Sequence, residues 1–108
     1  MNFIEVAKKS QIKEGSMKPV NAGGKEILIV NYGGDYYAIN RKCTHMGGDL
    51  SEGKLEGKII TCPIHGAKFD VTTGKSVEGP KMGPLRMKTK NETVYEVKIE
   101  GDSIKVEI

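Results

Sequence analysis

Residues 43–66 read CTHMGGDLSEGKLEGKIITCPIHG, and this stretch contains both cysteines and both histidines of the 108-residue chain. They form two short pairs, Cys43 with His45 and Cys62 with His65, and sixteen residues lie between the pairs. Glycine follows each pair closely, and glycine lets the backbone come near a bound group. Because these scarce residue types are grouped rather than scattered, the pattern indicates one shared metal centre.

Three kinds of site are compatible with two Cys and two His. Structural zinc accepts such a set, but zinc fingers and knuckles usually carry two cysteines on one loop, and here each loop has one Cys and one His. A disulfide between Cys43 and Cys62 would leave the paired histidines unexplained. The mixed loops favour a two-iron cluster, with the cysteines on one iron and the histidines on the other. On the residues alone, zinc and a disulfide remain open.

The rest of the chain has the pattern of short β-strands between glycine-rich turns. Apolar and polar residues alternate with a period of two near the C-terminus, as in strands with one buried face. Gly101 and Asp102 suit a tight hairpin. The predicted strands are 3–6, 25–30, 36–39, 58–61, 94–99 and 103–106, and only residues 10–14 suggest a helical turn. The pattern therefore predicts an all-β, antiparallel sandwich or barrel.

Composition excludes several classes of function. The net charge is +3, with 17 basic and 14 acidic residues spread along the chain, and no run of like charges or aromatic cluster suggests a nucleic-acid groove. No apolar stretch approaches the 18 residues of a membrane span, and the first residues lack the pattern of a secretory signal. We therefore expect a cytoplasmic protein that binds neither nucleic acid nor membrane.

The motif C-x-H-x₁₆-C-x₂-H resembles that of the Rieske-type [2Fe–2S] ferredoxins, the soluble, oxygenase-ferredoxin-like group. The flanking segments 49–53 (DLSEG) and 69–74 (FDVTTG) are similar as well. The resemblance implies one domain over residues 1–108, a Rieske-type antiparallel β sandwich or barrel with a small cluster-binding subdomain at about 41–84. It also implies that residues 79–84 are a proline-containing loop over the cluster. The implied ligands of the [2Fe–2S] cluster are Cys43, His45, Cys62 and His65, the cysteines on the inner iron.

The same resemblance implies an electron-transfer protein with no catalytic residues of its own. Such a protein passes single electrons from a flavin-dependent ferredoxin reductase to a terminal oxygenase or other redox enzyme, and we expect it to act as a monomer. Catalysis by the chain alone is not expected, because both histidines are used and 108 residues leave no room for a second iron domain. The alternative is a small Rieske subunit of a nitrite-reductase-type or oxygenase complex.

Four positions bear on the reduction potential. Neutral imidazoles in place of two thiolates remove negative charge, so Rieske centres lie at about −150 to +300 mV and all-Cys plant-type clusters near −400 mV. High-potential relatives join their loops by a disulfide and place a Ser and a Tyr hydroxyl near the cluster sulfurs. This chain has Gly48 and Ile64 at the disulfide positions, and Ala67 and Phe69 at the hydroxyl positions. The resemblance therefore predicts a potential low in the Rieske range.

Overall fold

The computed structural model describes residues 2–44, 48–64, 66–79, 81–82, 85–86 and 90–108. Within these ranges the chain consists of short antiparallel strands and two single-turn 3₁₀ helices, Lys9–Gln11 and Leu50–Glu52, which confirms the predicted all-β class. No helix in these ranges has the length and hydrophobicity needed to cross a membrane. The strands are β1 (Phe3–Lys8), β2 (Met17–Ala22), β3 (Lys25–Tyr32), β4 (Asp35–Asn40), β5 (Lys54–Glu56), β6 (Ile59–Thr61), β7 (Lys68–Asp70), β8 (Ser76–Glu78), β9 (Lys81–Met82), β10 (Leu85–Arg86), β11 (Val94–Tyr95), β12 (Val97–Glu100) and β13 (Ser103–Glu107).

Strands β2, β3 and β4 form a meander with two tight turns, and β11 pairs with the outer edge of β4. The turns are Gly23 with Gly24 and Gly33 with Gly34, and all four residues have positive φ. A two-residue hairpin loop of this type needs positive φ at both positions, which glycine adopts without strain. These glycine pairs therefore fix where each strand of the meander ends.

Strand β3 is buried on both faces and so contributes to two separate hydrophobic cores. Ile27 and Ile29 point into a basal core, whereas Leu28 and Val30 point into a second core that contains both cysteines, called here the thiol-side core. The basal core comprises Ala7, Ile12, Ala22, Ile27, Ile29, Ala38, Ile104 and Val106. The thiol-side core comprises Leu28, Val30, Ile39, Cys43, Leu50, Ile60, Cys62, Ala67, Phe69 and Val71.

Two further sheets complete these cores. The three-stranded sheet β1-β13-β12 lies over the basal core, and the four-stranded sheet β5-β6-β7-β8 supplies the thiol-side core. Strands β9 and β10 pair as a short ribbon. Pro80, Gly83 and Pro84 of the predicted proline-containing loop lie outside the described residues.

Several elements differ from the sequence prediction, which does not contain the short strands β5, β7, β8, β9 and β10. The predicted strand 94–99 is two strands that part at Glu96, with β11 pairing to β4 and β12 pairing to β13. Strand β2 was not predicted, because it contains Pro19 and polar residues. Proline cannot donate a ladder hydrogen bond, but β2 is an edge strand, where this donor is not needed.

Candidate metal centre

Cys43 and Cys62 begin two loops that are closed in the same way. The Cys43 amide donates to the Gly48 carbonyl oxygen at 2.7 Å, and the Cys62 amide donates to the Ala67 carbonyl oxygen at 2.7 Å. Each bond joins a cysteine to the residue five positions further on. The two ligand loops, residues 43–48 and 62–67, thus present their cysteines in equivalent positions.

Both cysteines are buried, at 2% and 1% exposure, and both are thiols rather than halves of a disulfide. They pack among apolar side chains of the thiol-side core, including Leu50 and Phe69. A metal deprotonates the thiol that coordinates it, so a cysteine buried among apolar side chains can serve as a ligand. The surroundings therefore suit cysteines that serve as metal ligands, and the structure gives no support to the disulfide alternative.

The two ligand loops touch at Gly48. A Cβ atom at this position would lie 2.8 Å from Cys62 Sγ and 3.1 Å from Ile64 Cδ1. The φ angle of Gly48 is not in the left-handed region, so space rather than backbone conformation requires glycine here. Gly48 therefore lies against the sulfur of Cys62, in a cradle that any side chain at position 48 would fill.

His45 and His65 lie outside the described residues. The sequence alone places them, one within each ligand loop. The structure therefore brings together two of the four predicted ligands, Cys43 and Cys62, and the two histidines stay a prediction. Among the described residues, no trio of Cys, His, Asp and Glu side chains converges as a metal site elsewhere.

Asp49 secures the base of the first ligand loop. Its two carboxylate oxygens accept hydrogen bonds from the Arg41 guanidinium at 3.0 and 2.8 Å, and Oδ1 also accepts from the Ser51 amide at 2.9 Å and the Ser51 hydroxyl at 2.6 Å. The bonds to Arg41 and Ser51 hold the pKa of Asp49 well below its usual value of 3.8. The carboxylate thus stays ionised and links Arg41, which precedes the loop, to Ser51, which follows it.

Glu92 supports the same loop, and its local sequence does not indicate this role. Its Oε1 accepts a hydrogen bond from the Thr44 amide at 2.6 Å, and Thr44 stands between Cys43 and His45. The residue is only 4% exposed. Burial raises the pKa of Glu92 from 4.5 to about 7, although the bond from Thr44 opposes the shift. A glutamate in the polar stretch KTKNET looks solvated in sequence, so only the fold reveals its position.

Comparison with known proteins adds to this geometry. The Rieske [2Fe-2S] domain matches residues 2–104. The chain belongs to the Rieske [2Fe–2S] domain family. A Rieske domain binds one [2Fe–2S] cluster through two cysteines and two histidines, and the paired loops with buried thiols and the glycine cradle fit such a group.

Individual Rieske proteins are similar over the full chain. The ferredoxin component of a naphthalene 1,2-dioxygenase system from Pseudomonas putida is 36% identical over 108 residues, which cover 100% of this chain and 97% of that protein. The ferredoxin of carbazole 1,9a-dioxygenase from Nocardioides aromaticivorans IC177 has a solved structure with a TM-score of 0.79 and 30% identity, covering 98% of this chain and 97% of that one. A chain in the solved complex of reduced oxygenase and oxidized ferredoxin in carbazole 1,9a-dioxygenase has a TM-score of 0.79 and 32% identity, covering 96% and 91% of the two chains.

Three of the four positions that bear on the potential of a Rieske centre lie in the ligand loops, and the fourth, Phe69, lies in β7. Gly48 and Ile64 lie in contact across the two loops, and Ala67 and Phe69 are fully buried in the thiol-side core. None of the four side chains carries a thiol or a hydroxyl group. High-potential relatives join the two loops by a disulfide at these positions. In this chain the loops meet there through an apolar contact between Ile64 and Gly48.

Proposed function

We propose that this protein is a soluble one-electron carrier that works in an oxygenase system and catalyses no reaction by itself. The observation that carries the proposal is the pair of ligand loops, each closed around a buried thiol, in a chain of the Rieske family. Its relatives over the full chain are ferredoxin components of dioxygenase systems. When bound, the cluster supplies reversible one-electron chemistry at iron.

The ligands in this proposal are Cys43, His45, Cys62 and His65. The two cysteines are supported by their burial and by the equivalent closure of their loops. The two histidines are supported by the sequence motif. The chain thereby holds the buried side of the cluster in the thiol-side core, and this exclusion of water from the sulfurs is part of how a protein tunes a cluster.

We place the potential in the lower part of the Rieske range. Hydrogen bonds to the cluster sulfurs stabilise the added negative charge on reduction, and their loss lowers the potential. Ala67 and Phe69 cannot donate such bonds from their side chains, and Gly48 and Ile64 cannot form a disulfide. A midpoint near the top of the Rieske range, measured by protein film voltammetry, would refute this part of the proposal.

The proposed partners are a terminal oxygenase, which accepts the electron, and a flavin-dependent reductase, which supplies it. The solved complex of a similar ferredoxin with the oxygenase of carbazole 1,9a-dioxygenase supports the first partner. The names of the relatives agree in the role of the ferredoxin and differ in the aromatic substrate of the oxygenase. The substrate of the system therefore belongs to the oxygenase and is not inferred for this chain.

The organisation of the chain is part of the same proposal. We place a cluster-binding subdomain at about 41–84 within one domain, supported by the sheet β5-β6-β7-β8 and by the two ligand loops within this range. A monomeric state and a cytoplasmic location complete it. Size-exclusion chromatography with light scattering tests the first of these, and fractionation of cells tests the second.

The central test is spectroscopic. Purified protein should be red-brown and, after chemical reduction, should give the EPR signal of a Rieske centre. Cys62→Ser should abolish both, whereas Ser103→Ala, at a half-buried residue of β13 far along the chain from both loops, should change neither. Colourless protein that contains zinc would refute the proposal. Reduced protein should then transfer its electron to an oxidised ring-hydroxylating oxygenase in a stopped-flow mixture, and Cys62→Ser should not.

A further inference from the structure

Residues 90–93, called here the bracing segment, connect the first ligand loop to the rest of the fold. The Thr44 hydroxyl donates to the Lys90 carbonyl oxygen at 2.7 Å, and the Thr44 amide donates to Glu92 Oε1 at 2.6 Å. The Asn40 amide of β4 donates to the Thr93 carbonyl oxygen at 2.9 Å. Thr44 is thus held through both its backbone and its side chain by a segment that is anchored on β4.

The same segment is anchored on the sheet that carries the second ligand loop. The Glu92 amide donates to the Gly74 carbonyl oxygen at 2.7 Å, and the Ser76 amide at the start of β8 donates to Asn91 Oδ1 at 2.9 Å. The bracing segment therefore bonds to three places: the first ligand loop, the β4 edge and the sheet that carries the second loop. Through it, the position of Thr44 is fixed relative to both sides of the site.

Glu92 is the unusual member of this segment. In the part of the chain that the structure describes, only Glu92 and Asn31 are buried polar or charged residues, at 4% and 5% exposure. Glu92 Oε2 has no hydrogen-bond partner among those residues. A buried carboxyl oxygen without a partner is unfavourable, and such a group in a folded protein calls for an explanation. Stability alone does not provide one, since an apolar side chain would fill the space without this penalty.

We propose that Glu92 is a positioning residue for the cluster: its carboxyl group fixes the Thr44 peptide and thereby the two ligands on either side of it, Cys43 and His45. This inference rests on the ligand assignment proposed above. Partners that orient metal ligands from outside the coordination sphere set both the affinity and the properties of a site. A bond to the residue between two ligands restrains both at once, which accounts for a carboxyl group being retained at this buried position.

The test compares two buried polar residues in protein loaded with cluster. Glu92→Leu removes the acceptor for the Thr44 amide. Asn31→Leu is the matched control, because Asn31 is equally buried and also bonds to backbone, donating to the Ile12 carbonyl oxygen at 3.0 Å and accepting from the Gly34 amide at 3.1 Å. It belongs to β3, and neither of these two bonds involves a ligand loop.

We expect Glu92→Leu to lose its visible absorption about tenfold faster than the wild type and to show shifted g-values and a shifted midpoint potential. Asn31→Leu should lower the melting temperature but keep the wild-type g-values and potential. Glu92→Gln keeps an oxygen acceptor, so its cluster retention and g-values should return towards those of the wild type. Unchanged g-values and potential in Glu92→Leu, or equal shifts in Asn31→Leu, would overturn the proposal.

If Glu92→Leu does not fold, Glu92→Asp replaces it in the test, because its side chain keeps the carboxyl group but is one methylene shorter and does not reach the Thr44 amide. Shifted g-values and a shifted potential are again expected, and unchanged values would again overturn the proposal. Failure of the ligand assignment is seen separately. It would appear as an unaltered visible spectrum in Cys62→Ser, whereas failure of the positioning role would appear as unaltered g-values in the Glu92 variants of a protein that does bind its cluster.

Discussion

Replacing Asp49 by alanine removes the carboxylate at the base of the first ligand loop. Two interactions are lost. The pair with Arg41 is bidentate but about one third exposed, at 31% and 35% for the two side chains, so we assign it about 1 kcal/mol, the upper end for pairs near the surface. The cap on the 3₁₀ turn, through the Ser51 amide, contributes about 1 kcal/mol. The sum is about 2 kcal/mol, which corresponds to a fall of about 8 °C in melting temperature.

Three companion variants separate these contributions in thermal melts followed by far-UV circular dichroism. Arg41→Met keeps the apolar stem of the side chain and removes only the pair, so it should lower the melting temperature by less than Asp49→Ala does. The double variant should cost no more than Asp49→Ala alone. Asp70→Ala is a matched control, since Asp70 accepts the same two bonds from Thr72, at 2.8 and 2.6 Å, but its cation is a lysine, Lys58, at 3.4 Å. We expect a cost of about 1 to 2 kcal/mol for it.

The pH dependence of the Asp49→Ala effect has a definite sign. The folded protein holds the pKa of Asp49 below the usual 3.8, because Arg41 and Ser51 bond to the ionised form. The stabilisation is therefore fully present above about pH 4 to 5 and is lost as the pH falls through the lowered pKa. The difference in melting temperature between wild type and Asp49→Ala should shrink between pH 6 and pH 3. A constant difference, or additive effects in the double variant, would refute the reasoning.

Three further predictions concern the thiol-side half of the molecule. Gly74→Ala should lower the free energy of unfolding by about 2 kcal/mol or more, because Gly74 has φ +78° and a Cβ there would clash with the Glu92 carbonyl oxygen. Gly15→Ala is the control: Gly15 has the same φ but lies in open space, so the loss in thermal melts should be clearly smaller. Burial raises the pKa of Glu92 to about 7, so the free energy of unfolding should decrease by about 3 kcal/mol as the pH rises from 4.5 to 7. Urea unfolding of Glu92→Gln should lack this pH dependence, and an equal pH dependence in the two proteins would contradict the raised pKa of Glu92. Ala67→Ser and Phe69→Tyr should each raise the midpoint potential in film voltammetry, and an unchanged potential in both would show that their hydroxyls do not reach the cluster sulfurs.

Local sequence signals were sufficient for the all-β class, for part of the strand order and for part of the site. Glycine pairs predicted where β3 and β4 begin, and alternating residues predicted the C-terminal hairpin, because two-residue turns and one-sided strands depend only on neighbouring residues. The spacing of the cysteines predicted that Cys43 and Cys62 would come together, and the structure places their loops in contact at Gly48. These features are encoded within a few residues of where they act.

The features that sequence reasoning missed depend on distant partners. Glu92 bonds to a backbone amide 48 residues away, and nothing in its local sequence distinguishes it from a solvated glutamate. The break at Glu96 has a similar origin, since β11 and β12 pair with different sheets and no local residue enforces the separation. Strand β2 was missed because Pro19 argues against a strand unless its edge position is known.

The register in which β3 pairs with its neighbours is not determined by hydrophobicity and must be set by the turns at its ends. In most strands a slip of one residue is penalised because it exchanges a buried face for a polar one. In β3 such a slip would exchange Ile27 and Ile29 for Leu28 and Val30, so hydrophobicity barely distinguishes the two alignments. The correct alignment instead depends on the glycine pairs at both ends of the strand. Inserting or deleting one residue in either turn should therefore produce a folded but misaligned sheet more readily than an unfolded chain.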